Sequence, residues 1–233
     1  MKSDTITRIV LVGLLAVFVI FTLLAGFLGD LYWFLEIGYE DVFLSIITTR
    51  IILGIAGFVV FFGFSYGCAI IAARTASGSL GRPAGGRQGI AALALFASLI
   101  AGLNLSAAWE TVLRFFAQVP FGVSDPIFSQ DIGFYVFSLP FYSLVLSFLL
   151  GLFIFAAILS ALAFLFQVLV ARVRGGQFPT FDIEAEREPV RGVFVSEFLP
   201  QVNILLFLVF VALAARLWLF RYSVLSSSTV AVC

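Results

Sequence analysis

Two acidic side chains in one short stretch are the clearest candidates for chemistry in this sequence. The stretch FGVSDPIFSQDIGFYVFSLPFY, residues 121–142, carries Asp125 and Asp131, and Glu110 lies upstream. Carboxylates can ligate calcium or serve as a general acid and base, but this spacing fits no EF-hand loop. We expect the two aspartates to accept hydrogen bonds at a turn, with contact to a partner protein and metal or catalytic chemistry as the alternatives.

Arg216 is the second candidate, because a charged side chain inside an apolar run is costly and often marks function. Tyr222 lies near the proposed outer end of that run. At a helical rise of 1.5 Å per residue, Arg216 is about 9 Å from Tyr222 along the helix. The sequence predicts that Arg216 snorkels to the membrane surface or pairs with an outer acid. A place on a solute or ion pathway is the alternative.

Several classes of site lack the residues they need. The chain has no histidine, the commonest general base and metal ligand. Cys68 and Cys233 have no CxxC spacing, so neither a disulfide framework nor a zinc site is indicated. The 13 basic and 13 acidic residues cancel, which gives nucleic acid no attractive surface. We therefore expect no enzymatic activity, no metal, no cofactor and no nucleic-acid partner.

Membrane helices are the elements that must position these residues. Of the 233 residues, 62% are hydrophobic and only 11% are charged, which is too apolar for a water-soluble core. A hydrocarbon layer about 30 Å thick needs about 20 apolar residues per helix. Five runs meet this demand, at about 9–28, 46–73, 90–108, 139–170 and 203–222. The sequence predicts an all-α, polytopic integral membrane bundle, one transmembrane domain over residues 1–233, with the lipid bilayer as its partner.

The distribution of basic residues predicts the orientation, since lysine and arginine near the spans tend to stay in the cytoplasm. The N-terminal tail and two alternate loops carry most of them, at Lys2, Arg8, Arg74, Arg82, Arg87, Arg172, Arg174, Arg187 and Arg191. Arg50, Arg114 and Arg221 fall on the opposite side. We expect a multi-pass protein of the cell (plasma) membrane with a cytoplasmic N-terminus, and with the acidic, aromatic loops and the C-terminus outside.

Local patterns predict a turn, a cap and close helix packing. Asp125-Pro126 favours a turn, Ser138 is placed to cap the fourth helix, and Pro140 suits its first turn. Small residues spaced four apart let helix backbones approach in lipid. Such pairs are Gly63 with Gly67, Ser98 with Gly102, and Ala156 with Ser160. We expect them to pack within the chain, with contact between copies as the alternative.

Four stretches carry a resemblance to a known family. DLYWFLEIGYEDVF, TTR, the stretch at 121–142 and LWLFRYSVL resemble the N-terminal membrane region of uncharacterised protein family UPF0182, over about residues 8–225. The most specific part is the pattern D-P-x-F-x-x-D-x-G-F-Y-x-F-x-L-P-F. It falls on Asp125, Pro126, Phe128, Asp131, Gly133, Phe134, Tyr135, Phe137, Leu139, Pro140 and Phe141.

The resemblance implies a large multi-pass membrane protein of bacteria and archaea without a settled activity. It also implies further spans and a large extracytoplasmic domain, whereas this sequence ends SVLSSSTVAVC. We expect either a truncated or frameshifted chain or a naturally short member. Two functions remain open: a non-enzymatic envelope or anchoring module that contacts other envelope proteins or itself, and a component of a transporter or channel.

Overall fold

Long helices dominate the computed structural model, which describes residues 2–80, 86–174 and 198–226. The helices are α1 (Lys2–Glu36), α2 (Glu40–Leu80), α3 (Arg87–Ala107), α4 (Trp109–Phe116), α5 (Leu139–Arg174) and α6 (Leu199–Ser226). A π-helical segment, Phe134–Ser138, leads directly into α5. No strand is found in these three ranges, and the all-α prediction is confirmed.

Four of the helical segments are long and apolar enough to cross a membrane. They are Glu40–Ala76, Arg87–Ala107, Phe134–Val170 and Leu199–Val224. These segments match the four predicted runs from 46–73 onward. The first predicted run, 9–28, lies inside α1 and is not among the four. The predicted orientation stays a prediction, and the basic loop at 175–197 lies outside the described residues.

The chain divides into two compact units, Met1–Thr49 and Arg50–Cys233. In the first unit, α1 turns into the start of α2 at Gly38, whose φ of 75° is a backbone conformation that glycine adopts without strain. Across this turn the ring of Phe27 packs on Phe43, with centroids 5.6 Å apart. The extent of the predicted single domain stays a prediction.

Small residues form the core where α2, α3 and α5 meet in the second unit. The buried cluster contains Ala69, Ala73, Ile90, Ala94, Leu159 and Ala163. Helices in lipid gain little from burying apolar surface, so close van der Waals contact between small residues must hold them together. Two predicted pairs are buried in this way, Ser98 with Gly102 and Ala156 with Ser160. The packing role predicted for them is confirmed.

The predicted packing of Gly63 and Gly67 within the chain is wrong for the described residues. A Cβ added at either position would meet no atom within 4 Å. The close approach of α2 to α3 occurs earlier in α2, at Gly54 and Gly57. A Cβ at Gly57 would lie 2.9 Å from the Leu105 Cδ2 atom. The four-residue spacing indicated a close approach but did not identify the helix face that makes it.

Ser138 does not cap the fourth long helix, so that prediction is also wrong. It lies in the π-helical segment, and its hydroxyl donates to the Gln118 Oε1 atom at 2.9 Å. Pro140 lies two residues further on, as the second residue of α5, and has no N–H to donate to the carbonyl of Val136. The wider π turn leaves room for the proline ring, so the helix continues through this point.

Candidate functional site

The aromatic loop, residues 117–133, contains both candidate aspartates and joins α4 to the π-helical segment. Its tip is a tight turn that Asp125 and Pro126 begin, as predicted. The N–H of Ser129 donates to the Asp125 carbonyl at 2.9 Å, and the N–H of Phe128 donates to the Asp125 Oδ2 atom at 2.8 Å. The Tyr135 hydroxyl reaches the same carboxylate oxygen at 3.2 Å. Asp125 therefore ties the turn to the start of the following helix.

Asp131 closes the base of the aromatic loop through three backbone donors. Its Oδ1 atom accepts the N–H of Phe121 at 3.1 Å and that of Gly133 at 2.6 Å, and its Oδ2 atom accepts the N–H of Gly122 at 2.9 Å. A side chain at position 133 would crowd this carboxylate, since a Cβ there would lie 2.8 Å from Oδ1. The prediction that both aspartates accept hydrogen bonds at a turn is confirmed.

These hydrogen bonds make the loop sensitive to acid. The backbone N–H groups of Phe121, Gly133 and Gly122 lower the pKa of Asp131 below its usual value, because they stabilise the charged form. The ionised Asp131 therefore stabilises the folded loop fully above a pH of about 4, the ordinary pKa of aspartate. This stabilisation is lost as the pH falls through the lower pKa that Asp131 has in the folded state. We expect faster hydrogen exchange at Gly122 over that window, after correction for the intrinsic pH dependence of exchange.

Asp131→Asn is the matched control, because an amide keeps one acceptor oxygen and does not titrate in this range. Exchange at Gly122 in this variant should show no step below pH 4. A step of equal size in the variant would assign the acid sensitivity to another carboxylate and contradict the role given to Asp131.

Aromatic rings attach the loop to the end of α6. The Tyr222 ring, only 5% exposed, lies 4.8 Å from Phe128, 5.3 Å from Phe134 and 6.2 Å from Tyr135 between centroids. The Arg221 guanidinium lies over the rings of Tyr222, Phe128 and Trp218, and it also donates to the Tyr222 hydroxyl. The loop is thus held both by its own hydrogen bonds and by a second helix.

The remaining motif residues pack below the turn. Phe137 stacks on Phe121 with centroids 6.0 Å apart, and Phe141 stacks on Phe115 at 4.0 Å. Leu139 is buried beside Tyr222. The motif therefore specifies the internal packing of one surface element, and its aromatic residues face one another and α6.

Sequence analysis did not identify the partners that lie far along the chain. Tyr222 and Arg221 hold the loop from α6, and the Gln118 side chain accepts a hydrogen bond from the Ser138 hydroxyl. Tyr222 was predicted only to sit near the membrane boundary. Its position at the end of a span, level with an aromatic loop, was the one available signal.

Arg216 forms no pair with an outer acid among the described residues, so that half of the expectation is wrong, and its snorkelling to the membrane surface stays a prediction. Its side chain is exposed on α6, and the one ion pair among the described residues joins Arg114 to Glu110. The described residues also contain no group of three or more His, Cys, Asp or Glu side chains that could hold a metal ion. The oxygens of the Asp131 carboxylate are taken by backbone donors. Chemically, the site is suited to holding a loop in place.

Comparison with known proteins gives one consistent family. The family model described as Uncharacterised protein family (UPF0182) matches residues 7–233. A UPF0182 protein of Methanospirillum hungatei is 44% identical over 91% of this chain and 24% of its own length. A UPF0182 protein of Rhodococcus erythropolis is 31% identical over 97% of this chain and 23% of its own length. The chain thus spans about a quarter of the length of these relatives. No solved structure matches it.

Proposed function

The chain belongs to uncharacterised protein family UPF0182, and from that premise we propose that it is a non-enzymatic module that anchors in the cell membrane and presents the aromatic loop on its outer surface. The proposal depends on the observation that two separate sets of contacts hold this loop in place. Asp125 and Asp131 hold its backbone, and Tyr222 holds its aromatic side chains. An element fixed in this way is suited to recognition.

The exposed side of the loop supports a role in contact. Its apolar residues Val119, Phe121, Val123 and Ile127 are each more than half exposed, and Ile127 is 66% exposed. Apolar side chains that a rigid backbone holds in solvent contribute binding energy without an added ordering cost. We infer that the loop contacts other envelope proteins or the membrane surface, and that its carboxylates serve structure.

The proposed orientation gives a direct test of loop presentation. In a chain whose two native cysteines are replaced by serine, Ser129→Cys places a thiol at the exposed tip of the loop, and Ser79→Cys places one near the other end of α2. A membrane-impermeant maleimide should label Cys at 129 in intact cells and should label the one at 79 only after the membrane is permeabilised. This result follows from the excess of basic residues in the loops on the side of Ser79.

Permeabilised cells provide the control, because both thiols must react there if both are accessible to solvent. The opposite labelling pattern in intact cells would place the aromatic loop in the cytoplasm. That outcome would remove the proposed outer role, whatever the loop contacts.

A component of a transporter or channel is the second candidate, and one buried polar group favours it. Gln201 donates to the Cys68 carbonyl at 2.7 Å and to the Ser160 hydroxyl at 3.4 Å, while its Oε1 atom is buried without a hydrogen-bond partner among the described residues. An unpaired acceptor between transmembrane helices is a feature of solute paths as well as of packing. An ion flux in proteoliposomes that Gln201→Leu abolishes without a loss of thermal stability would favour the transporter over the anchoring module.

A further inference from the structure

A groove between α2 and α3 opens on the surface of the second unit. It encloses about 430 Å³, within the range of about 300–1,000 Å³ typical of small-molecule sites. Its floor is formed by Gly54 and Gly102, where the absence of side chains lets the backbones of the two helices approach closely. Its walls are apolar, with Ile55 and Leu103 among them. The groove therefore offers an apolar slot that runs along two membrane helices.

The length of α3 places one end of the groove at the membrane boundary. The 21 residues of α3 span about 31 Å, the thickness of the hydrocarbon layer. Trp109 begins the next helix, and tryptophan is enriched at the interface. The Arg50 guanidinium lies 5.1 Å from the Trp109 ring centroid. Arg50 is thus at headgroup depth, and the groove runs from it about 12 Å toward Phe58.

Arg50 carries a positive charge that no carboxylate pairs with in the part of the chain the structure describes. Its contact with Trp109 is through the ring face, which leaves the N–H edges of the guanidinium free. The N–H groups on these edges are spaced so that two of them can donate to two oxygens of one phosphate group. Ser106 lines the same end of the groove and adds a hydroxyl group. Glu110, the nearest acid along α4, is paired with Arg114.

We propose that this groove binds one acyl chain of an anionic phospholipid, whose headgroup phosphate Arg50 holds at the membrane boundary. A cation at headgroup depth, an apolar slot below it and a tryptophan beside it match the three parts of such a lipid: its phosphate, its acyl chain and its glycerol region. A zwitterionic phospholipid has the same tails but carries a cation of its own beside the phosphate. The site should therefore prefer phosphatidylglycerol to phosphatidylcholine.

Native mass spectrometry of the full chain in detergent, titrated with either lipid, tests the proposal. We expect one phosphatidylglycerol to be retained per chain. Arg50→Gln should weaken its binding about tenfold, roughly the cost of one charge-assisted hydrogen bond. Arg216→Gln is the matched control, since it removes the same charge from an exposed position of α6 that lies outside the groove and has no ion-pair partner among the described residues, and it should leave binding unchanged. Equal losses in the two variants would reduce the effect to general charge attraction and overturn the proposal.

The acyl-chain part of the site needs its own pair of variants. Leu103→Trp should fill the groove and weaken both lipids, whereas Leu95→Trp, at an exposed position of α3 outside the groove, should weaken neither. Thermal unfolding of each variant identifies any that are misfolded. Unchanged binding in Leu103→Trp would overturn the proposal. So would disulfide-linked dimers of Leu103→Cys that retain no lipid, because they would assign the groove to a second copy of the chain.

Discussion

Replacing Tyr222 with alanine is expected to lower the free energy of unfolding by about 3 kcal/mol, the scale measured for large aromatic residues in packed cores. The Tyr222 ring lies against Phe128, Phe134 and Tyr135 and is nearly inaccessible. Its removal leaves a cavity, and the turn at Asp125 cannot fill that cavity while its own hydrogen bonds hold it in place. Thermal unfolding in detergent measures the loss, and protease cleavage of residues 117–133 measures the release of the loop.

Two variants in α6 separate the packing of Tyr222 from other effects. Phe220→Ala removes a similar ring at a position that is 62% exposed, so it should change stability little. Tyr222→Phe keeps the ring and loses only the hydroxyl that accepts from Arg221, so the loop should stay protected from protease. If Tyr222→Ala leaves protection unchanged, the loop is held by its own hydrogen bonds alone.

The structure of the loop was predictable where it depends on neighbours in sequence. Asp125 and Asp131 accept hydrogen bonds from residues within ten positions, and an aspartate before a proline indicates such a turn by its chemistry alone. Tyr222 packs against the same loop from a different span. Predicting that contact requires the depth and rotation of one helix relative to another. The apolar runs in the sequence indicate neither quantity.

The spans could be located from the sequence, but the helix faces by which they pack could not. Hydrophobic length was enough to locate four membrane-crossing segments, because a bilayer requires about 20 apolar residues from any helix. Which face of each span meets a neighbour depends on side-chain volume along its length. Gly63 and Gly67 have the spacing of a packing pair, but a Cβ added at either would meet no atom of another described helix within 4 Å, whereas Gly54 and Gly57 make the contact. The π-helical segment was missed because it depends on the whole helix that Pro140 would otherwise interrupt.

Gly102→Ala is expected to destabilise the chain by about 1–3 kcal/mol, the usual cost of overpacking a fitted core. A Cβ at position 102 would lie 2.7 Å from the Gly54 carbonyl oxygen and 3.1 Å from the Phe58 Cβ atom. The carbonyl belongs to the backbone of α2, so it cannot rotate away as a flexible side chain would. Helices α2 and α3 would have to separate, which would also loosen the buried contact of Ala94 with the core below.

Gly63→Ala is the matched control for Gly102→Ala, because it adds the same methyl group to a membrane helix at a position where the new Cβ would meet no atom of another described helix within 4 Å. Alanine favours a helix over glycine by about 1 kcal/mol, so this variant should be unchanged or slightly more stable. Thermal unfolding of both purified variants, at several protein concentrations, measures the difference. If Gly63→Ala is the more damaging change and its effect depends on protein concentration, then the Gly63 face packs against a second copy of the chain. That result would make the contact between α2 and α3 at Gly102 weaker than the contact between two copies at Gly63. It would contradict the tight packing inferred from the 2.7 Å distance between a Cβ at position 102 and the Gly54 carbonyl oxygen.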